Sequence, residues 1–212
     1  MGTNLLLCTL LLAAASARSE TVSFHFDSDA PDKAPAGFTS YASGGGPAGK
    51  WLVKQMADAP SAKNVVEQTD ADATDTRFPI LIADQGEYSD LDVSMKAKSI
   101  SGKVDQGMGI VFRFRDPNSY YIVRANALED NYRLYRMVNG RRVQFAGANV
   151  KVAPAQWHTL RVDFQGGHFT VTFDGKKALD WDDETFKEPG KVGVWTKADS
   201  VTLFDDFTYG SK

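Results

Sequence analysis

The chain has 212 residues, of which 42% are hydrophobic and 24% charged, and a formal net charge of −3. This length and balance fit one globular domain with a core large enough to stand without cross-links. With no Lys/Arg-rich run to offset the acidic balance, a nucleic-acid partner is excluded as a main role.

The first residues read as an export signal. Residues 5–15 form an apolar run too short to span a bilayer, and Ala15-Ser16-Ala17 follows the small-x-small cleavage pattern. Cleavage is expected after Ala17, giving a mature chain from Arg18 and removing Cys8, the only cysteine. Residues 18–212 then form a single domain, periplasmic or extracellular, without disulfides and without a further apolar run able to cross a membrane.

Strand signals follow one another along the rest of the chain. Residues 21–26, 51–56, 63–68, 79–83 and 91–99 have strand composition or alternation. GGGPAG at 44–49 matches a dinucleotide fingerprint literally, but Pro47 interrupts it and a strand follows where a helix is needed, so it reads as a loop that could overhang a binding surface. In the central block, 107–138, Met108, Ile110, Phe112 and Phe114 alternate with Arg113 and Arg115. Tyr121, Val123 and Ala125 alternate with Tyr120, Arg124 and Asn126. Such parity predicts an apolar layer beneath a face rich in Arg, Tyr and Asn. Strands are further predicted at 143–146, 157–164, 168–173, 191–196 and 201–209, with hairpin turns at Asn139-Gly140 and Asp174-Gly175. Arg133, Arg136, Arg141 and Arg142 read as a solvated basic strand face. Many short strands without intervening helices predict an all-β fold of two packed antiparallel sheets.

Few motifs point to chemistry. The three histidines have no zinc spacing, and no G-x-S-x-G elbow is present. Glycoside hydrolysis usually needs two carboxylates flanking the scissile bond. The candidates are Glu87, Asp90 and Asp92, Glu129 and Asp130 in a hairpin connection, and Asp180, Asp182, Asp183 and Glu184. No retaining pair is visible among them, and Glu129 is kept as a candidate acid. No cofactor is required. Asp205 and Asp206, with Asp27 or Asp29 from the other end of the chain, read either as a structural calcium set or as one strand-end cap and one solvated carboxylate.

The segments YSDLDVSMKAKSISGKVDQGMGIVFRF, SYYIVRANALEDN, WHTLRVDFQGGHFTVTFDGKKALD and GKVGVWTKADSVTLFDDFTYG resemble the concanavalin A-like lectin/glucanase superfamily. Within it they are most similar to the 3-keto-disaccharide hydrolase-type domain, also met as a laminin-G-like jelly roll. The similarity runs over roughly residues 20 to 210. It implies a two-sheet antiparallel jelly roll, export and involvement with carbohydrate; no catalytic constellation carries over.

Three functions are therefore weighed. A carbohydrate-binding domain would use Arg113, Arg115, Tyr120, Arg124, Asn126, Trp195 and Lys197 on one concave face, rings stacking on sugars and polar groups bonding hydroxyls. A glycoside-cleaving enzyme would need an acid such as Glu129 beside that face. An envelope interaction protein would bind no sugar there.

Overall fold

A computed structural model of the chain describes residues 21–212; the expected signal segment, residues 1–17, lies outside them. The described residues form fifteen β-strands: β1 (Thr21–Phe24), β2 (Phe38–Gly44), β3 (Trp51–Gln55), β4 (Asn64–Gln68), β5 (Arg77–Ala83), β6 (Leu91–Ser101), β7 (Gly107–Asp116), β8 (Ser119–Asn126), β9 (Asn131–Val138), β10 (Arg141–Asn149), β11 (His158–Gln165), β12 (His168–Phe173), β13 (Lys176–Asp182), β14 (Lys191–Trp195) and β15 (Val201–Ser211). No helix interrupts them.

The strands build two antiparallel sheets packed as a sandwich. One has the order β13-β12-β11-β6-β15-β4-β3, with β1 also pairing β15; the other runs β10-β9-β8-β7-β14-β5-β2. The jelly-roll sandwich predicted from the sequence is the fold observed.

Alternation places the core. Leu91, Val93, Met95 and Ala97 of β6, Leu160, Val162 and Phe164 of β11, and Phe169, Val171 and Phe173 of β12 face Met108, Ile110, Phe112, Tyr121, Val123, Ala125 and Leu134 across the sandwich. On the eight-stranded sheet the intervening residues are polar and reach water, as in the alternating burial of β6 and β11. The seven-stranded sheet behaves differently. Its outer face carries a second buried cluster made of Phe78, Ile80, Ile82, Val111, Phe114, Tyr120, Ile122, Tyr135, Met137 and Trp195. Central strands β7 and β8 are therefore buried on both faces over most of their length.

A bulge corrects one parity assignment. The β7–β8 register shifts between Phe112 and Asp116, and Arg113 takes a positive φ of 46°. An extra residue in one strand reverses the facing of the residues beyond it. Phe112 stays in the inter-sheet core, Phe114 turns to the outer face, and Arg113 is directed to the end of the sandwich.

Candidate functional site

Two loops and two strand ends meet at one end of the outer face. Asp199 accepts hydrogen bonds from the backbone N–H groups of Lys103, Val104 and Asp105, and Gly107 N donates to the Ser200 hydroxyl. These bonds fasten the 102–106 loop, ahead of β7, to the 196–200 loop between β14 and β15. Ala127 N donates to Gln106 O, which ties in the turn between β8 and β9. The pairing of Asn126 with Asn131 across that turn sets the remaining side chains.

The loops converge on Asp105, which is 1% exposed. Its Oδ2 lies 3.3 Å from Arg124 Nη1 and 3.3 Å from Lys197 Nζ, while Oδ1 accepts from Asn126 Nδ2 at 3.0 Å. Arg124 Nη2 also donates to Glu129 Oε2 at 2.8 Å and to Asn131 Oδ1 at 3.0 Å. Asn131 Nδ2 completes the ring of bonds by donating to Glu129 Oε2 at 2.7 Å. Lys197 further pairs with Asp75.

Arg124 and Asp105 are almost wholly enclosed, whereas the Glu129 side chain is 51% exposed and the Asp75 side chain 72%. The network thus reaches solvent through Glu129 and Asp75. Two large apolar side chains stand exposed on the same loops, Val104 beside Asp105 and Leu128 beside Glu129.

The two carboxylates on Arg124 are driven apart. Burial raises Asp105 above the usual aspartate range, an effect that Arg124 and Lys197 oppose without cancelling. Burial would also raise Glu129, but hydrogen bonds from Asn131 and Arg124 outweigh it and leave this carboxylate lowered. Within one network the two carboxylates are thus shifted in opposite directions.

Of the residues expected on a ligand face, the structure brings together Arg124, Asn126, Lys197 and Glu129. Trp195 shares the face but is fully buried. It lies over Gly107 and Gly109, where an added Cβ would meet its ring at 3.4 and 3.3 Å, and stacks on Phe78 with ring centres 5.5 Å apart. It offers no ring face to solvent.

Tyr120 is likewise enclosed, and burial pushes its hydroxyl up to about 12. Arg113 is clamped by the carbonyls of Phe186, Ser89 and Gly166 and lies over Phe164, so it joins three loops at the end of the sandwich. Arg115 sits apart, in a groove of about 510 Å³ shared with Tyr41, Glu87, Phe114, Glu188, Pro189 and Lys191.

Sequence reasoning missed Asp105 and Asn131, and gave Asp75 no place on this face. Asn131 was findable as the hairpin partner of Asn126; the two aspartates are delivered by loops with no local signal. Arg142, read as part of a solvated basic face, is half-buried on the outer face over the rings of Phe78, Tyr135 and Trp195.

The four aspartates considered for calcium divide. Asp205 and Asp206 gather with His25, their ligand atoms within 4.8 Å of one another. Asp27 lines the same open hollow with Ser28, Pro60 and Ser61, while the Asp29 carboxylate accepts from Ala36 N. Asp206 already meets His25 at 2.9 Å and Lys96 at 3.0 Å, and Asp205 accepts from Ser61 and from Asp206 N.

A family model for the 3-keto-alpha-glucoside-1,2-lyase-like domain matches residues 30–208. The chain belongs to this family. No curated protein matches it at a significant level. Among solved structures, this 3-keto-alpha-glucoside-1,2-lyase-like domain is similar to the carbohydrate-binding module CBM66 from Bacillus subtilis, at 18% identity and TM-score 0.64, covering 82% of this chain and 96% of that one. It is also similar to domain 4 of AbnA, a GH43 extracellular arabinanase from Geobacillus stearothermophilus solved with arabinotriose, at 12% identity and TM-score 0.60, covering 91% and 93%. A third likeness is to the Emp47p carbohydrate recognition domain, at 11% identity and TM-score 0.58, covering 94% and 99%. At these identities the likeness is one of fold, a two-sheet antiparallel jelly-roll sandwich. Among the described residues no helix is long and apolar enough to cross a membrane.

Proposed function

We propose that this protein is an exported carbohydrate-binding sandwich whose ligand docks on the outer face of the seven-stranded sheet, at the rim built by Glu129, Arg124, Asn131, Lys197 and Asp75. The observation that carries the reading is the pairing of two unlike surfaces there. A dense set of charged donors and acceptors opens to water through Glu129, and exposed Leu128 and Val104 stand on the adjoining loops. A sugar needs both, since its hydroxyls require directed partners and its ring C–H faces an apolar surface.

The likeness to CBM66, to the AbnA domain with arabinotriose and to the Emp47p recognition domain supports the ligand class. Export rests on the apolar run and Ala15-Ser16-Ala17. The test is a glycan array read with the wild type and Glu129→Ala. Loss of one exposed charged hydrogen-bonding group is expected to weaken a glycan ligand about tenfold. A ligand that binds Glu129→Ala as tightly as the wild type removes the rim from the site.

One observation favours a second reading, glycoside cleavage. Asp105 raised and Glu129 lowered on a shared arginine is the arrangement that separates an acid from a base, and the family's name points to glucoside chemistry. Only Glu129 of the two can touch a substrate, so Asp105 would act by positioning Arg124. Product formation from 3-keto-glucosides that is lost in Glu129→Gln would establish this reading over simple binding.

A further inference from the structure

The middle of the outer face holds a charge, Arg142, that feels Asp105 and Asp75 at a distance but makes no direct ion pair with either. Arg142, on edge strand β10 opposite Met137 of β9, places its guanidinium carbon 4.7 Å from the ring centre of Tyr135, 4.8 Å from that of Phe78 and 5.7 Å from that of Trp195. Stacking of this kind uses the flat faces of the guanidinium and leaves its N–H edges available. Arg142 Nη1 is buried without a partner. The nearby carboxylates are committed elsewhere: Glu129 to Arg124, Asp75 to Lys197, and Asp105 to both cations. An arginine keeps its charge in such surroundings.

The groups around Arg142 are short of acceptors. Arg124 Nε is a second buried donor on this face without a partner, and neither guanidinium can accept a hydrogen bond. No pure acceptor is left over among these atoms. Trp195 is paired with the Tyr120 hydroxyl, which also meets Ser43 and faces Arg142. Buried donors in native proteins are nearly always matched, by protein, by water or by a bound group. A neutral polyol brings donors and acceptors alike. An oxyanion brings acceptors alone, together with the missing negative charge, and binds a guanidinium edge through two parallel bonds.

We infer, on the reading that this face binds carbohydrate, that the ligand is an acidic glycan whose oxyanion, a uronate carboxylate or a sulfate ester, is received by the N–H edge of Arg142. The rings of Phe78, Tyr135 and Trp195 then serve to hold that guanidinium flat rather than to stack on sugar. Arg124, enclosed between its carboxylates, is left to hold Glu129, whose exposed oxygens meet neutral hydroxyls at the rim.

The test titrates the full chain with polygalacturonate, dextran sulfate and neutral arabinan. An acidic polymer is expected to bind with an affinity that falls as salt is raised, and Arg142→Gln is expected to lower it about tenfold or more. Arg142→Lys keeps the charge but loses the two-point edge, and its affinity is expected between the two. Binding of polygalacturonate or of dextran sulfate identifies which oxyanion is taken. Preference for arabinan, unchanged in Arg142→Gln, overturns the inference while the carbohydrate reading stands. No binding to any glycan, here and on the array, overturns both. Melting curves confirm that the variants fold; if Arg142→Gln does not, the lysine variant decides, and wild-type affinity in it overturns the inference.

Discussion

Asp105 and Asp205 are equally enclosed, 1% and 0% exposed, and burial raises both above the usual aspartate range. Their surroundings differ. Asp105 lies between Arg124 and Lys197 in a network that includes Glu129, Asn126 and Asn131. Among the described residues no Lys or Arg pairs with Asp205; Ser61 and two backbone amides satisfy it, and Asp206 next door repels it. A carboxylate held between cations is part of a set in which removal of one member strands the others. One held by neutral donors is a cost that the fold tolerates. The same residue type, equally buried, should therefore answer mutation with opposite signs.

The largest effect is expected on the Arg124 side. Arg124→Met keeps the volume but leaves Asp105 buried with one cation fewer, and a loss of about 3–5 kcal/mol is expected in denaturant unfolding. A loss below about 1 kcal/mol would mean that water already reaches Asp105, and the contrast with Asp205 would fall. Trp195→Ala tests the second core beneath the network. About 3–5 kcal/mol is expected from the cavity it leaves, and a near-normal melting temperature would show that the outer face is loosely packed.

Asp205→Asn sharpens the other side. A folded-state pKa raised above the unfolded value means that ionisation opposes folding: stability is greater below the unfolded pKa and declines as pH rises through the folded one. The asparagine variant is expected to lack that decline, and at neutral pH to be unchanged or up to about 1 kcal/mol more stable than wild type. Melting temperatures from about pH 3 to 7 measure this. The competing proposal, calcium at Asp205 and Asp206 with Asp27 and His25, reverses the sign. Chelation would then lower the melting temperature and Asp205→Asn would destabilise.

The smallest effect belongs to Glu129. Its lowered pKa contributes stability above the unfolded glutamate value, lost as pH falls through the folded one. With half the side chain exposed, the contribution is screened to about 0.5 kcal/mol or less. Glu129→Gln is expected to abolish it and shift the acid limb of the melting profile only slightly; a large shift would place Glu129 deeper in the network than its exposure implies.

The sandwich was legible because hairpin turns and two-residue alternation agree over most strands. β2 escaped notice because FTSYASG has few apolar residues and sits at an edge, half exposed. In the site, parity placed Arg124, Asn126 and Lys197 on one face correctly. It misplaced Arg113 and Phe114, since a bulge leaves no mark in an alternating pattern. It could not report that Trp195, though facing outward, is covered, because cover comes from a distant strand's Arg142 and from Phe78. Asp105 was invisible for a similar reason: an aspartate in a polar loop acquires meaning only when Asp199 fastens that loop against Lys197.

β15 comes last in chain order, yet it lies in the interior of its sheet, bonded to β6 and β4 and flanked by β1. Until it is made, β6 and β4 present bare edges that nothing earlier in the chain can satisfy. The sheet therefore closes only when β15 joins β6 and β4, and a chain lacking residues 201–211 would expose two open strand rims suited to pairing with other copies. The pairing of β1 with β15 joins residues nearly the whole chain apart, a high contact order that slows closure.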